Sequence, residues 1–246
     1  MKRSGIFADP GRGDYQHRAR QEGNPVQRFW HAHKWPLVVQ QLEPHSDDRV
    51  LDVGAGSSQV SPELSDRCAL ACAVDVSPAP LHFLRELDRA NGRLHLVAGD
   101  IHTLPFRAGS FDRITVLEVV EHLPADGIPR YLAELRRLLA PGGRLLLTTP
   151  NYRSYWPVLE YLIDHLGGAA QMGGAQHITR FHPRSLRAAL EDNGFRVLRS
   201  GSLYHLSPFV SALAPRFAER LFAWETRRAG SWGPILFSVC EAGDVD

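Results

Sequence analysis

The sequence predicts an α/β fold, in which a doubly wound, mostly parallel sheet carries helices on both faces. Short apolar segments of strand length alternate with amphipathic segments of helix length along most of the chain. A glycine-rich turn follows the first of these strands, as expected where a parallel sheet binds a nucleotide-like ligand. The 246 residues, 43% of them hydrophobic, are enough for one sizeable domain of this class.

The predicted sheet has seven strands, each rich in Val, Leu, Ile or Phe. They cover residues 49–54, 71–77, 93–100, 111–119, 144–150, 195–203 and 235–242. The helices predicted between them have leucines at helical spacing and Pro or Gly at their ends. They cover residues 77–90, 128–143 and 183–194. Two short helices, interrupted at Pro36, are predicted ahead of the first strand.

Three segments lie outside this alternation. Residues 1–23 bury too little apolar surface to offset the entropy of ordering, which predicts a flexible tail before a single domain over 24–246. Two insertions are predicted, at about 152–180 and 207–234, and both should cover the carboxyl ends of the strands. In the second insertion, one helical face bordered by arginines is expected to be apolar. Its residues are Val210, Leu213, Phe217, Leu221 and Trp224.

The composition is that of a soluble enzyme. The formal net charge of +1 provides no overall field to attract nucleic acid or an anionic membrane. Cys68, Cys72 and Cys240 lack the spacing of a zinc site, so we expect buried free thiols in a reducing cytoplasm. No apolar run approaches the roughly 20 residues needed to cross a bilayer. We therefore expect a cytoplasmic protein, whose oligomeric state the sequence leaves open.

The segment VLDVGAGSS, residues 50–58, joins the first strand to a tight turn. Gly54 and Gly56 have no Cβ, so the backbone can take a positive φ and approach a ligand closely. Asp75 ends the second strand roughly 20 residues later, where a dinucleotide-type fold places the carboxylate that accepts ribose hydroxyls. Asp52 directly precedes the first glycine, and its charge suits a ligand with a cationic end better than a phosphate.

This loop, together with AGDIHTLPF, FDRITVLEVVEHL and LLAPGGRLLLTTPN, resembles the motif series of class I S-adenosylmethionine-dependent methyltransferases. The resemblance implies a Rossmann-like methyltransferase fold and S-adenosylmethionine as the cofactor. It places the methionine part at the glycine loop, the ribose at Asp75 and the adenine at Asp100, while Ser58 stands where the family often has a third glycine. The implied cofactor-binding residues are Asp52, Gly54, Gly56, Ser58, Asp75, Val76, Asp100, Ile101 and Glu118.

The segment LEVVEHL spaces Glu118, Glu121 and His122 at i, i+3 and i+4, so a helical turn would place them on one face. With the downstream QHITRFHPRSL, which contains His177, it resembles the ubiquinone-pathway O-methyltransferases. In related enzymes two glutamates and two histidines of this pattern hold a divalent metal, so the resemblance implies the same four residues as ligands of a cation such as Mg²⁺. Without a metal, His122 or His177 would be the general base beside Glu121.

The sequence favours methyl transfer to a hydroxyl of an apolar or amphipathic small molecule, because the fourth strand lacks the NPPY-type motif of adenine or amide methylation. Three alternatives stay open: an RNA 2′-O-methyltransferase, which the charge balance opposes; a nicotinamide oxidoreductase, which Asp52 opposes; and a non-catalytic S-adenosylmethionine-binding protein. Residues 207–234 either contact a membrane surface or pack onto the core as a lid.

Overall fold

The computed structural model describes residues 13–88, 93–159, 161, 177–228 and 230–243, and it contains the predicted seven-stranded sheet. The strand order is β3-β2-β1-β4-β5-β7-β6, in which β7 runs antiparallel to both neighbours and the other pairs are parallel. The strands are β1 Arg49–Val53, β2 Leu70–Asp75, β3 Leu94–Ala98, β4 Phe111–Leu117, β5 Leu139–Pro150, β6 Phe195–Leu203 and β7 Ile235–Ala242. The predicted fold class is therefore confirmed.

Helices cover both faces of this sheet. They are α1 Tyr15–Glu22, α2 Pro25–Ala32, α3 Lys34–Leu42, α4 Val60–Arg67, α5 Pro78–Leu87, α6 Ile128–Leu138, α7 Pro183–Asp192, α8 Ser207–Val210 and α9 Pro215–Arg228. The side chains of α6 and α7 join one buried apolar cluster, whereas those of α3, α4, α5 and α9 join another. In β1, Leu51 and Val53 belong to the first cluster and Val50 to the second, the alternation of a strand buried on both faces.

The central strands end level with one another at the carboxyl edge of the sheet. Val53 of β1 pairs with Val74 of β2 on one side and with Val116 of β4 on the other. The strand order reverses between β1 and β4, because β2 and β3 lie to one side and β5 to the other. The loops that follow β1 and β4 therefore border a crevice at this switch point, where open α/β sheets bind ligands.

The prediction that residues 1–23 form a flexible tail is wrong for the part of this segment next to the predicted domain. Tyr15–Glu22 forms α1, in which Ala19 is fully buried. Its order comes from contacts with the rest of the domain, since the Gln16 N–H donates to Ser57 Oγ at 2.9 Å and the ring of His17 lies 4.9 Å from that of Phe83. The first twelve residues lie outside the described part of the chain.

The two short helices predicted ahead of the first strand are α2 and α3. They meet at His33, and Pro36 lies in the first turn of α3, where a missing N–H breaks no intrahelical bond. Asn24 and Gln27 form a capping box at the start of α2. The three cysteines are buried free thiols, as predicted.

The predicted insertion at 152–180 can be followed at its two ends, because residues 160 and 162–176 lie outside the described part of the chain. Its first residues follow β5, and residues 156–159 are helical. Its last residues run beside the turn after β4. Asn151 and Phe181 form an isolated parallel bridge that holds the two ends together.

The insertion at 207–234 leaves the end of β6 and returns to the start of β7, which lie side by side because Leu203 pairs with Ile235. The prediction of a single apolar helical face from Val210 to Trp224 is wrong, because a turn before Pro215 separates α8 from α9. The alternative that this face packs onto the core as a lid is wrong for three of its residues, since Leu213, Phe217 and Trp224 are 91%, 59% and 54% exposed. The face of α9 that packs inward carries Ala218, Phe222, Glu225 and Thr226.

Within the described residues, the search for a helix of sufficient length and hydropathy to cross a membrane gives no candidate.

Candidate cofactor and catalytic site

The glycine loop lies at the switch point between β1 and β4. Gly54 and Gly56 have φ values of +69° and +54°, a region that favours glycine. A Cβ on Gly54 would lie 2.4 Å from Cγ2 of Val119, which belongs to the loop after β4. The loop is also hydrogen-bonded to β2, because the N–H groups of Gly54 and Ala55 both donate to the carbonyl of Val74. Its conformation therefore depends on the absence of side chains.

Asp75 lies at the end of β2 and faces the glycine loop, as predicted. One carboxylate oxygen accepts from the Gly56 N–H at 2.9 Å, and the other accepts from the Ser77 N–H at the same distance. The next residue, Val76, is 76% exposed. Asp75 therefore links the glycine loop to the β2 edge, and each carboxylate oxygen has further lone pairs for ligand hydroxyls.

Asp52 lies beneath the loop and is 3% exposed. Its two carboxylate oxygens accept from Ser61 Oγ at 2.5 Å and from Thr115 Oγ1 at 2.7 Å. Burial raises the pKa of this carboxyl, and the two hydroxyl bonds act against that rise. Ser58 Oγ accepts from the Val60 N–H at the start of α4, at 3.3 Å. Asp52 and Ser58 thus fix the loop from within, and their contact with a cofactor stays a prediction.

Asp100 follows β3 on the same edge of the sheet as Asp75, since the Gly99 N–H donates to the Asp75 carbonyl at 3.1 Å. Its Oδ1 accepts from the His102 N–H and lies 2.9 Å from Nδ1 of the same residue. Hydrogen bonds from His102 lower the pKa of the Asp100 carboxyl. Ile101, beside it, is half-buried. The two residues predicted for adenine therefore lie at the same edge of the sheet as Asp75, and their contact with a cofactor stays a prediction.

Glu118 directly follows β4 in an unusual backbone conformation. Its φ is +60°, which is uncommon for a residue with a side chain, and its N–H donates to the carbonyl and to Oγ1 of Thr148. Its carboxylate accepts from Nζ of Lys34 at 3.3 Å. Such backbone strain is found mostly at functional sites.

Glu121, His122 and His177 form a group that we call the Glu-His-His cluster. A carboxylate oxygen and one nitrogen of each ring all lie within 4.8 Å of one another. Glu118 was predicted as a fourth metal ligand, but this group does not include it, because Glu118 sits in the left-handed turn before it and pairs with Lys34. The turn at Val120–His122 is a short 3₁₀ helix, so the spacing expected for an α-helix does not apply.

Glu121 is the buried member of the cluster. It is 1% exposed, its Oε2 accepts from Thr149 Oγ1 at 3.0 Å, and its Oε1 is buried without a hydrogen-bond partner. Burial raises the pKa of the Glu121 carboxyl to about 8, and the negative charge of Glu118 adds to the rise. A buried carboxyl with one unsatisfied oxygen is an acceptor that a proton, a cation or a substrate hydroxyl could satisfy.

His177 reaches the cluster because the end of the first insertion is bonded to the turn after β4. The N–H groups of Ile178 and Thr179 both donate to the carbonyl of Glu121, at 2.8 and 3.0 Å. The centroid of the His177 ring lies 5.2 Å from that of His122. The hydroxyl of Tyr152 lies 2.9 Å from His177 Nδ1 and fixes the ring from the other end of the insertion.

Residues of α1 to α3 close the crevice, and sequence reasoning missed all of them. Gln16 lies against the glycine loop, since a Cβ on Gly56 would come within 2.5 Å of its Oε1. Removal of the His31 ring from water lowers its pKa to about 3, which keeps the ring neutral. Lys34 is 4% exposed. The lysine at the start of an apolar helix was the available signal, because a lysine in an apolar segment is buried only where it finds a partner, here Glu118.

This layer also contains buried polar atoms without a partner. Gln16 Oε1 and His31 Nδ1 are buried without a hydrogen-bond partner in the described structure. Native proteins rarely leave such atoms unsatisfied, so Gln16 Oε1, which lies against the glycine loop, is an acceptor that a bound group could use.

A family model described as a methyltransferase domain matches residues 26–200. The chain therefore belongs to the methyltransferase-domain family, which confirms the resemblance found in its motifs.

Two curated relatives belong to quinone pathways. The chain is 32% identical over 144 residues to the ubiquinone/menaquinone biosynthesis C-methyltransferase of Paracoccus denitrificans. It is 29% identical over 163 residues to the ubiquinone biosynthesis O-methyltransferase of Coxiella burnetii. The alignments cover 56% and 63% of this chain, and 55% and 67% of the two relatives. The chain thus matches between half and two thirds of these proteins.

Among solved structures, an S-adenosylmethionine-dependent methyltransferase from Archaeoglobus fulgidus matches with a TM-score of 0.61 and 16% identity. The match covers 91% of this chain and 97% of that chain, which supports the fold.

Gly54→Val should abolish binding of S-adenosylhomocysteine, because the new Cβ would displace the loop from Val119 and the φ of +69° disfavours a β-branched residue. Titration calorimetry measures this loss. Gly142→Val is the matched control, since its φ is +72° and nothing lies within 4 Å of its Cβ position. It should bind normally while losing about 1–2 kcal/mol of stability. Normal binding by Gly54→Val would show that the loop is an ordinary turn.

Proposed function

We propose that the protein transfers a methyl group from S-adenosylmethionine to a hydroxyl of an apolar or amphipathic small molecule. One juxtaposition carries this proposal: a glycine loop with Asp75 borders one side of the switch-point crevice, and the Glu-His-His cluster follows β4 on the other. The first is suited to a nucleoside and the second to a hydroxyl that must lose a proton.

The residues that would hold the cofactor follow from the crevice itself. The backbone of the glycine loop would bind the methionine part, and the Asp75 carboxylate would accept the ribose hydroxyls. Asp100 and Ile101 would lie at the adenine. When bound, S-adenosylmethionine supplies a methyl group that its sulfonium has already activated.

The chain then has to position the acceptor and remove its proton. Imidazole is the side chain best suited to accept a proton at neutral pH, and the cluster provides His122 and His177 for this step. The Tyr152 hydroxyl holds the His177 ring in place. The unsatisfied Oε1 of Glu121, buried beside them, would accept a hydrogen bond from an imidazole that has taken the proton.

Aromatic side chains support an apolar acceptor. The ring of Trp156 lies 6.3 Å from that of His177, and the ring of Trp30 lies 5.8 Å from Trp156. An aromatic cluster beside the Glu-His-His cluster would favour a flat, apolar ligand. The names of the two quinone-pathway relatives agree with this class, although one transfers to carbon and the other to oxygen. The Glu-His-His cluster is our reason for choosing oxygen.

RNA is a weaker acceptor candidate. The net charge of +1 gives little attraction for a polyanion. Arg180, a residue of the kind that binds RNA phosphates, has its guanidinium over the ring of Tyr152, 5.2 Å from the ring centroid.

Calorimetry with S-adenosylhomocysteine and with NAD tests the cofactor assignment. The wild type should bind the first and not the second, and Asp75→Ala should weaken binding by about tenfold to a hundredfold, because charge-assisted hydrogen bonds are worth roughly 1.5–3 kcal/mol. Asp112→Ala is the matched control, since it removes a carboxylate at the opposite edge of the sheet, where it pairs with Arg49. Tighter binding of NAD would replace the methyltransferase proposal with an oxidoreductase.

A divalent cation in the Glu-His-His cluster is the other way to activate a hydroxyl. One carboxylate and two imidazoles suit Mn²⁺, Fe²⁺ or Zn²⁺ better than the Mg²⁺ expected from the resemblance, because Mg²⁺ prefers oxygen ligands. The buried, unsatisfied Oε1 of Glu121 fits a ligand role. Glu121, His122 and His177 would hold the ion.

Binding of Mn²⁺, followed by its electron paramagnetic resonance signal, separates the two activation modes. A metal site predicts one ion bound per chain by the wild type and a loss of at least tenfold in affinity for Glu121→Gln. Glu63→Gln, in the first turn of α4, is the control and should bind like the wild type, because Glu63 is not part of the Glu-His-His cluster. A wild type that binds no Mn²⁺ or Zn²⁺ leaves the imidazoles as the base.

We propose further that α9 contacts a membrane surface and so brings the enzyme to an amphipathic substrate. Phe217, Leu221 and Trp224 recur at helical spacing on a face separate from the one that packs inward. The arginines of α9 are exposed, and the guanidinium of Arg228 lies 5.2 Å from the ring of Trp224. Exposed aromatics beside arginines are typical of helices that lie in an anionic lipid interface.

Co-sedimentation with phosphatidylglycerol vesicles tests this contact. The wild type should sediment with the vesicles, and Phe217→Asp should lose most of this binding, because a carboxylate would enter the lipid interface. Leu198→Asp, an exposed apolar position on β6, should bind like the wild type. If the folded wild type stays in the supernatant, α9 has no such role and the methyl-transfer proposal is unaffected.

A further inference from the structure

His33 joins the layer of α1 to α3 to helix α9. It is the residue at which α2 and α3 meet, and it is 5% exposed. Its Nδ1 lies 2.7 Å from the carbonyl oxygen of Phe29 in α2, and its Nε2 lies 2.8 Å from Oε2 of Glu219 in α9. Both nitrogens of a buried imidazole are therefore within hydrogen-bond distance of oxygen atoms from two different helices.

These two contacts define the protonation state of the ring. A carbonyl oxygen can only accept a hydrogen bond, and the Glu219 side chain, which is 62% exposed, is an ionised acceptor at neutral pH. A neutral imidazole has one N–H, so it would donate to one of the two oxygens and turn a lone pair toward the other. Only the imidazolium form, with a proton on each nitrogen, donates in both contacts.

The surroundings of the ring also favour the charged form. Phe29 lies in the last turn of α2, and the C-terminal end of a helix carries partial negative charge. The ring of His33 stacks on that of Phe29 with 3.7 Å between the centroids, and the ring of Phe222 in α9 meets it edge-on at 4.5 Å. A cation over the face of an aromatic ring is attracted to it.

Glu219 is the charged group that the described contacts bring to the ring. Lys34, the next residue, is positive and would oppose a second cation, but its Nζ pairs with Glu118 at 3.3 Å. His31, two residues earlier, is neutral, because its removal from water lowers its pKa to about 3. Near neutral pH, the proton that can leave the junction of α2 and α3 is therefore that of His33.

We propose that His33 and Glu219 form a proton-dependent latch between α9 and the layer of α1 to α3. While the ring carries both protons, it donates to Phe29 in α2 and to Glu219 in α9 and holds the two helices together. When the ring gives one proton to solvent, one of the two hydrogen bonds breaks. The apolar contact between Phe222 and Phe29 stays, so α9 remains docked there while the turn around Glu219 loosens.

The sign of the pH dependence follows from the number of protons. Only the imidazolium makes both hydrogen bonds, so the latch stabilises the fold where the ring is protonated and loses this contribution as the pH rises. The latch acts on the layer that closes the switch-point crevice and ties it to the second insertion. It goes beyond the proposed function, because it concerns the packing of α9 and not the reaction.

Thermal unfolding of the wild type and of Glu219→Gln at pH 6 and pH 9 tests the latch, since glutamine keeps the shape of the side chain without its charge. The variant should lower the melting temperature by roughly 2–4 °C at pH 6 and by less than about 1 °C at pH 9. In a His33→Gln background, Glu219→Gln should have no effect at either pH. His45→Gln, at an exposed histidine, is the matched control and should keep the wild-type behaviour.

Amide hydrogen exchange of residues 215–221 locates the effect on α9. After correction for the intrinsic effect of pH, these amides of the wild type should lose protection at least about fivefold between pH 6 and pH 9. Those of Glu219→Gln should have the lower protection at both pH values. If Glu219→Gln lowers the melting temperature equally at both pH values, or if the protection of the wild type does not change with pH, the latch is wrong. Binding of S-adenosylhomocysteine is measured separately, and its absence would overturn the proposed function without touching the latch.

Discussion

The parallel pairing of β1 with β2 on one side and β4 on the other is the constraint on which the site depends. It brings three strand ends level, so that the glycine loop, Asp75 and Glu118 leave the sheet around one crevice. Asp52 fastens this junction, because its buried carboxylate accepts hydrogen bonds from Ser61 of α4 and Thr115 of β4. Loss of either hydroxyl would leave a buried oxygen unpaired, at a cost of about 1–3 kcal/mol.

The other half of the site comes from segments outside the alternation of strands and helices. The layer of α1 to α3 supplies Gln16 and Lys34, and the end of the first insertion supplies His177. The layer is also tied to α9, since His33 Nε2 lies 2.8 Å from Glu219 Oε2 and its ring stacks on Phe29. The start of α3, which carries Lys34, and the exposed aromatic face of α9 therefore belong to one packed unit.

Sequence reasoning succeeded where local pattern and strand order act together. Gly54, Asp75 and Asp100 were predicted at the ends of successive strands, and parallel strands carry such residues to one edge whatever the details of packing. Reasoning failed where the conformation of a single residue decides the outcome. Glu118 has a left-handed φ, pairs with Lys34 and is not part of the Glu-His-His cluster, and spacing along the chain contains no signal for that turn.

The sequence by itself determined the seven strands, their mostly parallel sheet, the glycine loop and the family, because apolar periodicity and motif order are properties of neighbouring residues. Only the tertiary structure decided that polar residues 15–22 form an ordered helix and that Lys34 is buried at the crevice. It also decided that Phe217 and Trp224 stay exposed. These outcomes depend on contacts with residues distant in the chain, and the same side chains could pack inward or outward according to which surface the fold presents to them.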